Sequence, residues 1–328
     1  MSSPFPAVHS VLAAPALADL LRQEYALPAG LQVTLLRRNI SDTYLVTLPD
    51  GERAILRVYR SGWRTRADVA WELALTRHVA ARGVGAAQVL PRQNGELWGA
   101  VQAAEGERFY ALFEYAAGRP LQTTPEDAAL YGNLAAQFHA SATDFAAGER
   151  FNLDLDHLIT QPMQFLRPLM LDFPEQWATL EAAAQRTHAT LSKLAPRLSW
   201  GVCHGDLHEL NVRVAPDGLR LIDFDCGGMG YYAYDLAVYW WSQVTHSDKP
   251  PAESQAIWEA FLGAYQAARP LSQADHAALP HFVLARSLWF MGLMAGRAPE
   301  FGTETLGQPF FDFGANFVGE WMQKEVAD

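Results

Sequence analysis

Two short polar segments near the middle of the chain constrain its fold and chemistry more than any other feature. Residues 203–211 read CHGDLHELN, and residues 221–225 read LIDFD. Together they supply a carboxylate at Asp206, an amide at Asn211 and a second carboxylate at Asp223. A carboxylate can accept the proton of an attacking hydroxyl, and amide and carboxylate oxygens are ligands that Mg²⁺ prefers. This layout predicts a phosphoryl-transfer site with Asp206 as the catalytic base and with Asn211 and Asp223 as metal ligands.

The same segments resemble those of a known family. Protein kinases carry H-R-D-x-x-x-x-N followed by a metal-binding Asp, and this chain has Gly205 in place of the Arg. With IDFD at residues 222–225 and YDLA at residues 234–237, the pattern is similar to that of the aminoglycoside phosphotransferase and choline kinase group. The resemblance covers about residues 39–241. An L-D-x-x-x-L segment at residues 153–158 resembles homoserine kinase-like members and bacterial stress-response Ser/Thr kinases.

This resemblance implies an α+β, bilobal protein-kinase-like fold with a small β-rich N-terminal lobe and a larger, mainly α-helical C-terminal lobe. It also implies ATP as the phosphate donor and Mg²⁺ as the metal ion. We predict the nucleotide-binding lobe at residues 1–116. The helical lobe, with the catalytic and metal-binding loops and the acceptor pocket, is predicted at residues 117–328.

Hydrophobic patterns agree with a sheet-rich first lobe. Apolar runs predict five strands, at residues 31–37, 43–48, 54–59, 97–102 and 109–113. Thr65 and Asp68 form a predicted capping box, which opens a helix that ends near Gly83.

The second lobe is predicted to be mainly helical. Thr124 followed by a proline predicts the start of its first helix. Leu130, Leu134 and Phe138 follow at helical spacing and predict its buried stripe. A later helix is predicted over residues 273–294.

Several residues are expected to bind ATP because of the resemblance. They are Asn39, Ser41, Thr43, Arg57, Glu72, Glu114 and Ala116. Arg57 occupies the place of the kinase V-A-I-K lysine, and Glu72 on the following helix is its expected ion-pair partner. The turn that carries Asn39 replaces the glycine-rich loop of kinases, although a plain hairpin turn is the alternative. Glu114 and Ala116 are expected to bind the adenine edge through their backbone groups.

Three residues are expected to support the catalytic loop. His204 is predicted to pack beneath it, and Asp235 is expected, by resemblance, to accept hydrogen bonds from it. Asp225 either supports the metal ligands or contacts the metal itself.

The acceptor pocket is predicted to include His208, Tyr232 and Arg286. Aromatic residues suit an ammonium group through cation–π attraction, but core packing is the alternative for most of them. Arg286 either receives an acceptor carboxylate or forms a salt bridge with an acid of the protein.

A zinc site made of Cys203, His204, His208 and Cys226 is a rival interpretation, which the adjacent Cys and His disfavour. With two cysteines in 328 residues, we expect no disulfide framework and a cytoplasmic location. A net charge of −11 argues against a nucleic-acid partner. No signal peptide or membrane span is predicted.

The sequence therefore predicts an ATP-dependent kinase that phosphorylates a hydroxyl of a small molecule. The amino alcohol, amino acid and aminoglycoside classes remain open as acceptors. The alternatives are a protein Ser/Thr kinase of the stress-response type, a nucleotide-binding pseudokinase scaffold and a metal-dependent phosphohydrolase. The sequence carries no indication of the oligomeric state.

Overall fold

The computed structural model describes residues 5–146, 148–246 and 248–326. The chain forms two compact units. The first unit consists of the chain up to Arg119, Phe145–Arg150 and Arg213–Asp225, and the second of Pro120–Asp144, Phe151–Val212 and the chain from Cys226 onwards. The predicted division of the chain has a single boundary, at residue 116. In the structure, two segments that follow this boundary belong to the first unit.

The helices, in chain order, are α1 (Ala14–Tyr25), α2 (Arg66–Ala81), α3 (Pro125–Ser141), α4 (Gln161–Leu166), α5 (Pro174–Leu194), α6 (Tyr232–Thr245), α7 (Pro251–Ala268), α8 (Gln273–Gly296), α9 (Ala298–Phe301) and α10 (Gln308–Lys324). The strands are β1 (Gln32–Arg38), β2 (Ser41–Thr47), β3 (Arg53–Tyr59), β4 (Val89–Leu90), β5 (Gly99–Ala103), β6 (Gly106–Glu114), β7 (Arg119–Pro120), β8 (Asn152–Leu153), β9 (Trp200–Cys203), β10 (Val212–Ala215), β11 (Gly218–Leu221) and β12 (Gly228–Tyr231). The β-rich first part and mainly helical second part confirm the predicted fold class.

Six strands of the first unit form one sheet in the order β1-β2-β3-β6-β4, with β5 also paired to β6. All of these pairs are antiparallel. Along β2, alternate residues are buried and the others are half-buried, as expected for a strand with one face on the core. Tyr44 and Val46 on the buried face pack with Leu56 of β3 and Leu17 of α1.

The predicted phosphate loop between the first two strands is shorter in the structure. Only residues 39 and 40 separate β1 from β2. The strand includes the charged residue Asp42 because its buried carboxylate pairs with the guanidinium of Arg108 at 2.9 Å. Ser41 and Thr43 are therefore strand residues.

Two predicted helix starts are confirmed. The Thr65 hydroxyl accepts the backbone N–H of Asp68 at 3.1 Å, and the Asp68 carboxylate accepts the N–H of Thr65 at 2.9 Å. Thr124 caps α3 in the same sense, through the N–H of Asp127 at 3.3 Å. Each cap satisfies a backbone donor that the helix leaves unpaired.

The predicted buried stripe of α3 is wrong at Leu130, which is 49% exposed. Leu134 and Phe138 are buried as predicted, and Tyr131 takes the place expected for Leu130. α3 packs against α7, and a Cβ at Gly132 would lie 2.1 Å from the backbone oxygen of Phe261. This close approach sets which face of the helix is buried.

The predicted helix over residues 273–294 is confirmed as α8, which extends to Gly296. A capping box of Ser272 and Asp275 begins it. Among the described residues, it is the one helix long and apolar enough to cross a membrane. However, 72% of that apolar window is buried within the protein, as in a helix of the protein core.

Candidate active site

The predicted catalytic loop, residues 204–208, follows β9 in the second unit and leads into a short 3₁₀ turn at Glu209–Asn211. Gly205 has a φ of +77°, and a Cβ there would lie 2.1 Å from the backbone oxygen of Cys226. A side chain at this position would therefore clash with backbone and require a left-handed conformation that favours glycine. This geometry explains why glycine occupies position 205 of this chain.

Asp235, near the start of α6, holds the loop from beneath. Its carboxylate accepts the backbone N–H of His204 at 2.6 Å and that of Gly205 at 2.7 Å. The side chain is completely buried. Charge-assisted hydrogen bonds to backbone N–H groups are among the stronger ones in proteins. The hydrogen bonds expected for Asp235 are therefore present.

His139 of α3, which the sequence did not single out, holds Asp235 in turn. Its Nε2 lies 3.0 Å from Asp235 Oδ2, and its Nδ1 lies 2.8 Å from the hydroxyl of Tyr265. Burial lowers the pKa of His139, so the ring is neutral and Nε2–H donates to Asp235 while Nδ1 accepts the Tyr265 hydroxyl. No sequence spacing reveals this contact, because its partners lie 96 and 126 residues away.

Asp206 is held on both of its carboxylate oxygens. Arg286 of α8 pairs with Oδ1. Asn211 donates its side-chain N–H to Oδ2 at 2.8 Å, and His208 Nε2 lies 3.1 Å from the same oxygen. Burial alone would raise the pKa of Asp206, but the charges of His208 and Arg286 hold it well below its usual range. Asp206 is therefore ionised at neutral pH.

His208 and Arg286, which were both predicted for the acceptor pocket, pair with Asp206 in the structure. Of the alternatives for Arg286, the salt bridge to an acid is the one observed. The guanidinium also lies over the rings of Trp241 and Trp289, at 5.2 and 4.5 Å from their centroids. Burial opposes the charged form of His208, but Asp206 raises its pKa.

Tyr232 is buried in the same unit. Its ring centroid lies 4.4 Å from the ring centroid of His139. The guanidinium of Arg269 lies 4.6 Å from the same Tyr232 centroid. Only 4% of Tyr232 is exposed, which is the environment of a core aromatic.

The first unit carries the predicted phosphate-binding pair. Arg57 of β3 and Glu72 of α2 form the expected ion pair at 2.8 Å. Arg57 also reaches Oδ1 of Asp223, which follows β11, at 2.9 Å. Asp223 has a φ of +67°, and such strain in a non-glycine residue is characteristic of functional sites. Its side chain remains 42% exposed.

Asp225 is buried and ion-paired. Its Oδ1 accepts Arg64 Nε at 2.7 Å, and its Oδ2 accepts the indole N–H of Trp63 at 2.7 Å. Burial opposes ionisation, but Arg64 and Arg57 lower the pKa of Asp225. Because both carboxylate oxygens have protein partners, the contacts favour the supporting role over direct contact with a metal.

The remaining predicted nucleotide residues lie in the first unit as well. Asn39 accepts a hydrogen bond from Arg60 through its backbone oxygen. Thr43 lies opposite Arg57 in the β2–β3 register. Glu114 donates its backbone N–H to Gln88 at 2.8 Å, so any backbone bond from Glu114 to adenine must use its carbonyl oxygen. Ala116 follows the end of β6, and Ser41 begins β2.

Glu72 predicts a pH dependence of stability. Burial raises the pKa of Glu72 from 4.5 to about 7, against the opposing charge of Arg57. Between these pH values the folded protein holds a proton that the unfolded chain has released, so the stability contributed by Glu72 falls as pH rises through this window. Relative to Glu72→Gln, the wild-type protein should lose roughly 3 kcal/mol of unfolding free energy between pH 4.5 and 7.5. Urea denaturation of both proteins across this range measures the difference, and parallel pH profiles would contradict it.

The rival zinc set is not assembled. Among the described residues, the group of potential metal ligands that comes together is His139, Cys203 and Asp235, within 4.8 Å of one another. Both ring nitrogens of His139 already have partners. Burial raises the pKa of Cys203, which keeps it a thiol rather than the thiolate that zinc binds. Cys203 and Cys226 are buried and are not joined in a disulfide.

Together, the fold and these two groups of residues define a phosphotransferase with a kinase-like fold. The family model described as "Phosphotransferase enzyme family" matches residues 32–271. The chain belongs to this family and is therefore a kinase-type enzyme.

Two curated relatives extend this result. A protein of Deinococcus radiodurans named "Uncharacterized protein" is 59% identical, over 98% of this chain and 94% of its own length. A homoserine kinase of Methylobacterium radiotolerans is 28% identical, over 87% of this chain and 86% of its own length. Similarity to named small-molecule kinases therefore spans most of the chain.

Two solved structures share the fold. A microcompartment-associated aminopropanol kinase has a TM-score of 0.80 at 23% identity and covers 94% of this chain and 98% of its own. The amicoumacin kinase hAmiN, solved with AMP-PNP, Ca²⁺ and Ami, has a TM-score of 0.78 at 18% identity and covers 95% and 93%. At these identities the likeness shows the fold alone.

Proposed function

We propose that this protein transfers the γ-phosphate of ATP to a hydroxyl group of a small molecule of the amino alcohol, amino acid or aminoglycoside type. The environment of Asp206 carries the proposal, because a partly buried, ionised carboxylate is held on both oxygens within the predicted catalytic loop. Relatives named for homoserine and structural neighbours named for aminopropanol and amicoumacin support a small acceptor.

Asp206 is suited to orient the acceptor hydroxyl. Its low pKa makes it a weak base before the reaction, so its first role is to accept a hydrogen bond from the hydroxyl and align the oxygen. In a loose transition state the attacking oxygen gains little bonding early, so its proton can be transferred late. Arg286 and Asn211 hold the carboxylate in place, which reduces the entropy lost on alignment.

Asn211 and Asp223 have oxygens that fit a hard cation. Because Asn211 donates its N–H₂ group to Asp206, its amide oxygen is left available. Asp223 uses Oδ1 for Arg57, and its half-exposed side chain leaves Oδ2 available. These oxygens are suitable ligands for Mg²⁺. When bound with ATP, Mg²⁺ neutralises the charge of the phosphates.

Arg57 is suited to contact the phosphates. The strand fixes its guanidinium beside Glu72 and Asp223, and a planar guanidinium can bind two oxygens at once. Its ion pairs fix the fork in one orientation, so little side-chain freedom remains to be lost when a phosphate binds.

Release of ADP in the presence of Mg²⁺ tests the proposal. The acceptor panel contains homoserine, choline, amino alcohols, sugars, aminoglycosides and a generic protein substrate. Turnover with one class of small compound supports the proposal. Turnover with the protein substrate alone would indicate a protein kinase, and nucleotide binding without transfer to any compound would indicate a pseudokinase.

Asp223→Asn is expected to weaken Mg²⁺–ATP binding and turnover together. It removes one carboxylate charge and leaves Arg57 paired only with Glu72. We expect the Mg²⁺ concentration for half-maximal activity to rise by about tenfold or more. Magnesium titrations of wild-type and variant activity measure this change. The matched control is Asp217→Asn, since Asp217 is an exposed residue that pairs with Arg220; an unchanged magnesium dependence of Asp223→Asn would exclude it as a ligand.

A further inference from the structure

Glu209 directly follows the loop that carries Asp206, and its carboxylate accepts hydrogen bonds from neutral side chains. It follows His208 and begins the 3₁₀ turn that ends at Asn211. Its Oε2 accepts Ser242 Oγ at 2.7 Å and Gln243 Nε2 at 3.3 Å. Both donors are neutral, and within the described ranges no Lys or Arg contacts this carboxylate. A half-buried carboxylate without a cation costs free energy, which a bound cation would offset.

Two buried polar groups near Glu209 also lack partners. The Tyr239 hydroxyl and Gln243 Oε1 have no hydrogen-bond partner among the described residues. Tyr239 is 0% and Gln243 2% exposed. Tyr239 lies one helical turn before Gln243 on α6, so the two side chains share one face of that helix. A carboxylate, a carbonyl oxygen and a hydroxyl oxygen can together accept the three N–H donors of a primary ammonium.

Aromatic rings connect this neighbourhood to Asp206. The ring centroid of Trp241 lies 4.9 Å from that of His246 and 5.3 Å from that of Phe290. The guanidinium of Arg286, which pairs with Asp206, lies 5.2 Å from the ring centroid of Trp241. Aromatic faces favour an organic cation. An acceptor with its hydroxyl at Asp206 would therefore find aromatic surface and a carboxylate nearby.

The same surroundings disfavour a carboxylate on the acceptor. Arg286 and His208 are the basic side chains in contact with Asp206, and both pair with it. An acceptor carboxylate would compete with Asp206 for them and would also be repelled by Glu209.

We propose that Glu209 binds the primary ammonium group of the acceptor, and that the acceptor is an amino alcohol without a carboxylate. This inference rests on the proposed function, since it assigns the acceptor of the same site. In the transfer, the bond between the γ-phosphorus and the β–γ bridging oxygen of ATP breaks and ADP leaves with that oxygen. An ester bond forms between the γ-phosphorus and the hydroxyl oxygen of the acceptor, and the hydroxyl proton passes to Asp206 or to solvent.

Matched acceptors test the role of Glu209. The pairs are 2-aminoethanol with ethylene glycol, 1-amino-2-propanol with 1,2-propanediol, and 3-amino-1-propanol with 1,3-propanediol; homoserine is added. Each is assayed with the wild-type protein, Glu209→Gln and the control Glu175→Gln, which changes an exposed acid of α5. The wild type should prefer an amino alcohol over its diol, and Glu209→Gln should lose at least about tenfold of that preference. Glu175→Gln should keep the wild-type preference and the wild-type KM for ATP.

Equal use of an amino alcohol and its diol, an undiminished preference in Glu209→Gln, or a preference for homoserine would overturn the assignment while leaving the kinase proposal intact. If no compound is phosphorylated, the proposed function fails for this panel. Calorimetric titration of the three amino alcohols in the presence of Mg²⁺–ATP then tests the ammonium site independently of turnover. Binding that is lost in Glu209→Gln supports the ammonium site, and no binding to the wild type excludes it.

Discussion

Asp206→Asn is expected to lower kcat by about a thousandfold, because a positioned proton acceptor contributes factors of this order. The substitution keeps the size of the side chain but removes the charge that pairs with Arg286. The Kd of the variant for Mg²⁺–ATP should lie within about twofold of the wild-type value, since Asp206 is expected to interact with the acceptor hydroxyl during transfer and not with the nucleotide. Steady-state kinetics and nucleotide titration measure the two quantities.

The control for this experiment is Glu175→Gln, which also neutralises an acid of the second unit but at an exposed position. It should retain wild-type kinetics. Loss of nucleotide binding in Asp206→Asn with transfer intact would overturn the role assigned to Asp206.

Asp235→Ala is expected to have the largest effect on stability. It leaves the backbone N–H groups of His204 and Gly205 without their acceptor, and it removes the partner of His139. Each buried polar group left unpaired costs about 1–3 kcal/mol, so the loss should be about 3–5 kcal/mol in unfolding free energy. Chemical denaturation with circular dichroism measures it.

A substitution at an exposed Asp distinguishes this loss of stability from a general effect of replacing Asp by Ala. Asp217 is exposed and pairs with Arg220, so Asp217→Ala should leave the unfolding midpoint unchanged. A fully stable Asp235→Ala protein would show that the loop has another anchor.

Local signals in the sequence predicted much of the fold. The capping residues Thr65 and Thr124 marked helix starts correctly, since a cap is a contact between near neighbours in sequence. Strands were found where apolar residues alternate. The stripe of α3 was wrong at Leu130 because the buried face depends on the close contact of Gly132 with α7, which periodicity cannot show.

The site was predictable where a motif carries the chemistry. The segments around Asp206 and Asp223 and the ion pair of Arg57 with Glu72 follow from the family pattern, and the pair is present. Their roles in binding ATP and Mg²⁺ stay predictions.

Contacts between distant segments were beyond the sequence. His139 meets Asp235 across 96 residues, and Arg286 meets Asp206 across 80. His139 is a single polar side chain in an apolar helix, so its pattern does not differ from core packing. For Arg286 the sequence predicted pairing with an acid or with an acceptor carboxylate, but it did not indicate Asp206 as the partner. The free carboxylate of Glu209 was missed for a related reason, since only the structure shows that its donors are neutral.

The measurement that tests the central claim most directly is ³¹P NMR of the wild-type protein with Mg²⁺–ATP and a mixture of the small hydroxyl compounds. We predict that the γ-phosphate resonance is replaced by that of a phosphate monoester and that Asp206→Asn prevents the change. Formation of inorganic phosphate alone would indicate a phosphohydrolase. That result, or ATP left unconsumed, would contradict the claim that this protein phosphorylates a small-molecule alcohol.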